Sequence, residues 1–134
     1  MTTTENINNI SKFEDKSLLI VDDDSPFRER LARAMEKKGF KVSQAEGVNK
    51  GIDCVKSQNP AFAVVDLRLG DGNGLEVVKE IQNSNSSSRI IMLTGYGNIP
   101  TAVAAIKEGA IDYLAKPADA DDVEKALLAD PSKK

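Results

Sequence analysis

Short apolar runs punctuate the chain at residues 18–21, 62–65, 90–93 and 111–114, with a weaker one over 41–45. Each is four or five residues rich in Val, Ile and Leu, as expected of strands buried on both faces of a parallel sheet. Between them the spacing turns helical. Phe27, Leu31, Ala34 and Met35 share one stripe, with Pro26 at its start and Gly39 where a C-cap glycine belongs. Val48, Ile52 and Val55 form a second stripe, closed by Asn59-Pro60, and Leu75, Val78 and Ile81 a third, ending in the Ser/Asn-rich turn 83–88. Ile99, Ala102, Val103 and Ile106 form a fourth stripe that stops at Gly109, and Val123, Ala126 and Leu127 a fifth that stops at Asp130-Pro131. Five strands alternating with five helices predict an α/β fold, a doubly wound parallel sheet of flavodoxin type, (βα)5. Residues 1–16 are polar and unpatterned and read as a flexible leader, 17–129 as the domain, and 130–134 as the start of a linker.

Composition narrows the chemistry. At 134 residues the chain fits one ordinary domain with a sizeable core. It contains no histidine, which excludes histidine bases, histidine metal sites and histidine pH switches from its own side chains. Any phosphohistidine must then come from another molecule. The single cysteine, Cys54, excludes an internal disulfide. A net charge of −3 suits nucleic acid poorly. No apolar run approaches the ~20 residues of a membrane span, and the first residues do not form a secretory signal. The expected location is cytoplasmic.

In an open α/β sheet, ligands bind beyond the carboxyl ends of the strands. There the sequence places Asp22, Asp23 and Asp24 after the first strand, Asp66 after the third, Thr94-Gly95 after the fourth and Lys116-Pro117 after the fifth. Polar residues at one strand end mean little, and each alone reads equally well as a solvated loop residue. Together they converge on one edge. Crowded carboxylates repel unless a cation neutralises them, and oxygen ligands with open positions suit Mg²⁺, which keeps waters and recruits phosphate oxygens. A lysine adds a compact charge for the same phosphate. The set is suited to phosphoryl transfer onto a carboxylate.

The segments LIVDDD, AVVDLRLGDGNG, IIMLTGYG and YLAKP resemble the signatures of the receiver domain of two-component response regulators. The likeness runs from about Ser17 to Leu128, and PAFAVVDLRLGDGNGL, LTGYGNI and TAVAAIKEGAIDYLAKPADADDV are similar to the redox-responsive transcriptional regulators of the RegA/PrrA/ActR type. The resemblance implies the strand order 2-1-3-4-5. It makes Asp66 the phospho-acceptor, with Asp23, Asp66 and the backbone carbonyl of Arg68 as Mg²⁺ ligands and Asp22 acting largely through water. It makes Thr94 the phosphoryl sensor, Lys116 its ion-pair partner and Tyr113 the switch aromatic, and it implies a cis Lys116-Pro117 bond. The implied partner is a sensor histidine kinase. A homodimer would use the face of the fourth helix, fifth strand and fifth helix, and DNA would be bound only through a C-terminal helix-turn-helix domain beyond Lys134. Many receivers carry proline four residues after the acceptor; Gly70 stands there here and predicts a looser loop. Arg68 and Tyr96 occupy positions that gate hydrolytic water in the family, and their bulk predicts slower loss of phosphate than in a variant with small residues at both.

Asp22-x-Asp24 imitates the paired aspartates of haloacid-dehalogenase-like phosphatases, although those place the nucleophile on the first strand. Asp24 reads better as a charge favoured at a helix start. Gly70-x-Gly72-x-Gly74 lacks the third spacing of a dinucleotide loop and follows the wrong strand. Cys54 reads as a boundary residue with nothing to lower its pKa. Arg28, Arg30, Arg33, Lys37 and Lys38, interleaved with Glu29 and Glu36, read as a solvated helix face open to a kinase. Ala104 and Ala105 fall outside the fourth stripe, as a partner surface or simply as good helix formers.

Overall fold

The computed structural model describes residues 13–95 and 99–129, apart from the side chains of Ile99, Thr101, Ala102 and Ala105. Its elements run β1 (Ser17–Val21), α1 (Ser25–Lys37), β2 (Lys41–Ala45), α2 (Val48–Gln58), β3 (Phe62–Asp66), β4 (Arg68–Leu69), β5 (Gly72–Asn73), α3 (Leu75–Ser84), β6 (Arg89–Thr94), α4 (Ile99–Lys107), β7 (Asp112–Ala115) and α5 (Ala120–Leu128). Five parallel strands form one sheet in the order β2-β1-β3-β6-β7, and β4-β5 is a separate antiparallel ladder. With that hairpin set aside, the order is the expected 2-1-3-4-5.

Alternation along the strands builds two cores, because successive side chains leave opposite faces. Leu18, Ile20, Phe62, Val64, Ile91 and Leu93 meet α1 and α5; Leu19, Val21, Ala63, Val65, Ile90 and Met92 meet α2 and α3. The three central strands are therefore apolar between their polar ends, as the sequence pattern requires. β2 and β7 are edge strands and only partly covered.

Helix ends follow local chemistry. Asp24 caps α1 by accepting from the Phe27 amide at 3.2 Å, and Pro26 sits in the first turn. Gly39 follows α1 with φ 105°, and Asn59 ends α2 in the left-handed region with φ 49°. Asp119 caps α5, and the Arg89 guanidinium donates to the carbonyls of Leu127 and Ala129 at its far end.

Three expectations need correction. Phe13, inside the segment read as a leader, lies edge-on to Phe62 with ring centroids 5.4 Å apart, and Arg89 lies over its ring. Lys16 also accepts from the Lys41 amide, extending the β1-β2 ladder. Phe13 and Lys16 thus belong to the folded part; residues 1–12 and 130–134 lie outside the described residues. The last strand is one residue later than the apolar run and half exposed, because it closes the sheet on one side. The fourth stripe is not all buried: Val103 is 43% and Ile106 40% exposed. α4 meets the sheet chiefly at β6 and the edge strand β7, which leaves Val103 and Ile106 without full cover.

Candidate functional site

β1, β3, β6 and β7 all end at one edge, and their ends carry the acids, the threonine and the lysine. The β1 ladder continues through the Asp22 amide, which donates to the Ala45 carbonyl. Asp66 closes β3 opposite Leu93, and the Lys116 amide donates to the Thr94 carbonyl at 2.9 Å, setting those two residues side by side. Carboxylate oxygens of Asp22, Asp23 and Asp66 lie within 4.8 Å of one another, and no other such cluster occurs among the described residues. Lys116 Nζ donates to Asp22 Oδ2 at 3.1 Å and to Asp66 Oδ2 at 3.3 Å. The Lys116-Pro117 bond is cis.

Asp22 and Asp66 are buried, whereas Asp23 is exposed. Burial, then the charge of Asp22, pushes the Asp66 carboxyl up to about 6, against the pull of Lys116 and the Arg68 amide. Burial pulls the Lys116 ammonium down, but hydrogen bonds and charge from the two aspartates outweigh it and hold it above the usual lysine range. One ammonium facing three carboxylates leaves a surplus of negative charge, with Asp23 on the exposed side of the cluster. That donor set fits a hard divalent cation.

The remaining residues fall around this cluster. Thr94 is buried and its hydroxyl donates to the Gly95 carbonyl at 3.1 Å. The Arg68 amide donates to Asp66 Oδ1 at 3.2 Å. Tyr113 is half-buried against the α2-α3 core. Asp24 is engaged as the α1 cap and is not in the cluster, so the Asp22/Asp24 pair of a phosphatase does not assemble. Cys54 is a boundary residue, and burial raises its thiol pKa. Tyr96 lies outside the described residues, as does the side chain of Ala105.

Four contributors escaped the sequence reading. Arg28 is not on a solvated face: it is 9% exposed, and its guanidinium donates to the Asp22 carbonyl at 2.7 Å, Gln44 Oε1 at 3.0 Å and Ser25 Oγ at 3.4 Å. Its spacing with Ala32 and Met35 was the available signal. Phe27 supports Lys116, whose Nζ lies 4.9 Å from the ring centroid. Gly74 lies so close to Asp66 that a Cβ there would overlap the Asp66 carbonyl oxygen. Asp71 ties the glycine-rich loop to α2, accepting from the amides of Val48 at 2.7 Å and Asn49 at 3.1 Å. That loop is anchored rather than loose as Gly70 had suggested: Asn73 also accepts from Leu75, and Gly74 donates to Leu67.

A five-stranded parallel sheet with an acid cluster and a lysine at its carboxyl edge is the plan of a signalling receiver, and sequence comparison agrees. The family profile of the response regulator receiver domain matches residues 18–128, and the chain belongs to that family. Such domains are signalling proteins of two-component systems rather than conventional enzymes. The chain is 59% identical over 120 residues to the acid tolerance regulatory protein ActR of Sinorhizobium medicae, covering 90% of this chain and 62% of that protein. It is 60% identical over 115 residues to the photosynthetic apparatus regulatory protein RegA of Rhodobacter capsulatus, covering 86% and 62%. It thus spans under two thirds of the length of these relatives. Among solved structures, a Burkholderia pseudomallei response regulator, described with a phosphorylated aspartic acid, calcium ion and citrate, superposes with a TM-score of 0.82 at 38% identity, over 88% of this chain and 69% of that one.

Proposed function

We propose that this receiver takes a phosphoryl group from a partner histidine kinase onto Asp66. The observation that carries the reading is Asp66 itself, buried beside Asp22 and Asp23 with Lys116 bridging it to Asp22. An Asp66 carboxylate oxygen would form a bond to phosphorus as the phosphorus–nitrogen bond of the kinase's phosphohistidine breaks. The electron pair leaves with the imidazole. Asp23, Asp66 and the Arg68 carbonyl would hold Mg²⁺, with Asp22 acting through water. Bound there, Mg²⁺ supplies charge stabilisation for the phosphoryl oxygens. Lys116 would keep its position and turn its ammonium to a phosphoryl oxygen, while Thr94 would release the Gly95 carbonyl and donate to another. The phosphorylated aspartate and calcium ion of the Burkholderia pseudomallei regulator support this assignment by analogy.

A groove of about 460 Å³ between α1 and the turn after β7, lined by Phe27, Arg30, Leu31 and Pro117, opens beside Lys116. Phe27, shared by this groove and the Lys116 contact, would bring a kinase seated in the groove next to the site. The new phosphoryl charge would favour one arrangement of β7, α4 and α5 through Thr94, Lys116 and Tyr113. The exposed Val103 and Ile106 make the α4-β7-α5 face a suitable homodimer or output contact. Output by DNA binding would reside in a further domain, consistent with the greater length of the relatives, and the setting would be cytoplasmic. Among the described residues no helix is long and apolar enough to cross a membrane. The long side chains at Arg68 and Tyr96 would slow hydrolysis of the phosphoryl group.

Turnover separates this reading from phosphatase chemistry. With Mg²⁺ and a small acyl phosphate the chain should take up phosphate once per molecule, and phosphate monoesters should yield no sustained release. Continuous release from monoesters would contradict it.

A further inference from the structure

We propose that Asp71 is a positioning residue: by holding the first turn of α2 it fixes the hairpin that carries the Arg68 carbonyl. This deepens the preceding reading and rests on that carbonyl being a metal ligand. Gly47 is the N-cap of α2 and has no side chain to cap it, and helix starts ordinarily recruit a nearby Ser, Thr, Asp or Asn. Here the cap comes from another element. Both Asp71 oxygens accept α2 amides, from Val48 and Asn49. The absence of a Cβ at Gly47 makes the room, since one placed there would lie 2.6 Å from Asp71 Oδ1. The glycine and the aspartate are complementary.

The hairpin needs such an anchor. Arg68 pairs with Asn73 and Leu69 with Gly72, leaving Gly70 and Asp71 as the tip. A ladder this short is not stable alone. Its base is fixed by the Gly74 amide on the Leu67 carbonyl and by the Arg68 amide on Asp66. The tip is fixed by Asp71 on α2, so the segment is held at both ends. The Arg68 amide belongs to the base and its carbonyl lies one step toward the tip, and Gly70 faces Asp23, whose Oδ2 is 3.6 Å from where a Gly70 Cβ would be. Released from α2, the hairpin is free to swing about that base, which would turn the Arg68 carbonyl relative to Asp23 and Asp66.

A simple helix cap and a positioning residue are separable, because a local side chain at residue 47 can restore the first and not the second. Asp71→Ala and the double variant Gly47→Ser/Asp71→Ala are compared with the unaltered chain. Two readouts are taken: amide exchange across residues 68–74 without metal, and Mg²⁺ affinity by calorimetric titration. Asp71→Ala should speed hairpin exchange and weaken Mg²⁺ binding by about tenfold, as loss of a ligand's supporting contact does. The double variant should regain protection in α2 while hairpin exchange stays fast and Mg²⁺ binding stays weak. Recovery of both hairpin protection and Mg²⁺ affinity in the double variant, or no change in either on losing Asp71, would overturn the proposal. If the unaltered chain binds no Mg²⁺, the metal reading fails, and hairpin exchange alone decides whether Asp71 anchors the loop.

Discussion

Asp66 carries an electrostatic load that its neighbours only partly relieve. Its carboxyl titrates near 6 in the folded chain, against 3.8 ordinarily. Between those values the folded state binds more protons than the unfolded one, so stability falls as pH rises through the window. Above about 6 the full penalty of the buried charge is present. Asp66→Asn should therefore raise the Tm of the metal-free chain at pH 7.5, with the gain vanishing near pH 4. An equal gain at both pH values would contradict the assignment. Arg28 works the other way, holding the acid turn by its Asp22 carbonyl. Arg28→Ala should cost about 2–3 kcal/mol in denaturant unfolding, as expected for hydrogen bonds to a buried charge. Arg28→Lys should recover less than half, because an ammonium cannot reproduce the guanidinium fork; full recovery would show that charge alone suffices. The acids were legible in the sequence because strand ends in a parallel sheet converge. Arg28 was not, because it neighbours the apolar stripe of α1 and helical charge is ordinarily solvated.

At the scale of elements, apolar runs identified the parallel strands, and proline, glycine and asparagine marked most helix ends. Burial was less legible. The α4 stripe satisfies helical periodicity, yet periodicity records which residues share a face and not what lies opposite. Val103 and Ile106 therefore behave as surface residues. Val103→Ala and Ile106→Ala should each change unfolding free energy by less than about 1 kcal/mol. Leu127→Ala, from the fully buried face of α5, should cost about 2–5 kcal/mol. Comparable losses at all three sites would mean that α4 is covered after all. The α2 cap was illegible for a different reason: Asp71 lies 23 residues from Val48 in sequence. Only the bare Gly47 hinted that a cap had to come from elsewhere.

Across the whole molecule, two apolar layers fix four strand ends, and those ends assemble an acid cluster with a single ammonium. The edge strand β7 and helix α4, both partly exposed, adjoin that cluster through Lys116 and Thr94. Local charge at Asp66 thus sits next to the elements best able to change their contacts. The central claim is that Asp66 accepts the phosphoryl group. Intact mass spectrometry after incubation with Mg²⁺ and a small acyl phosphate, with Asp66→Asn alongside, tests it most directly. One phosphoryl group on the unaltered chain and none on the variant is the predicted result. Equal labelling of both, or none on the unaltered chain while Mg²⁺ is bound, would contradict it.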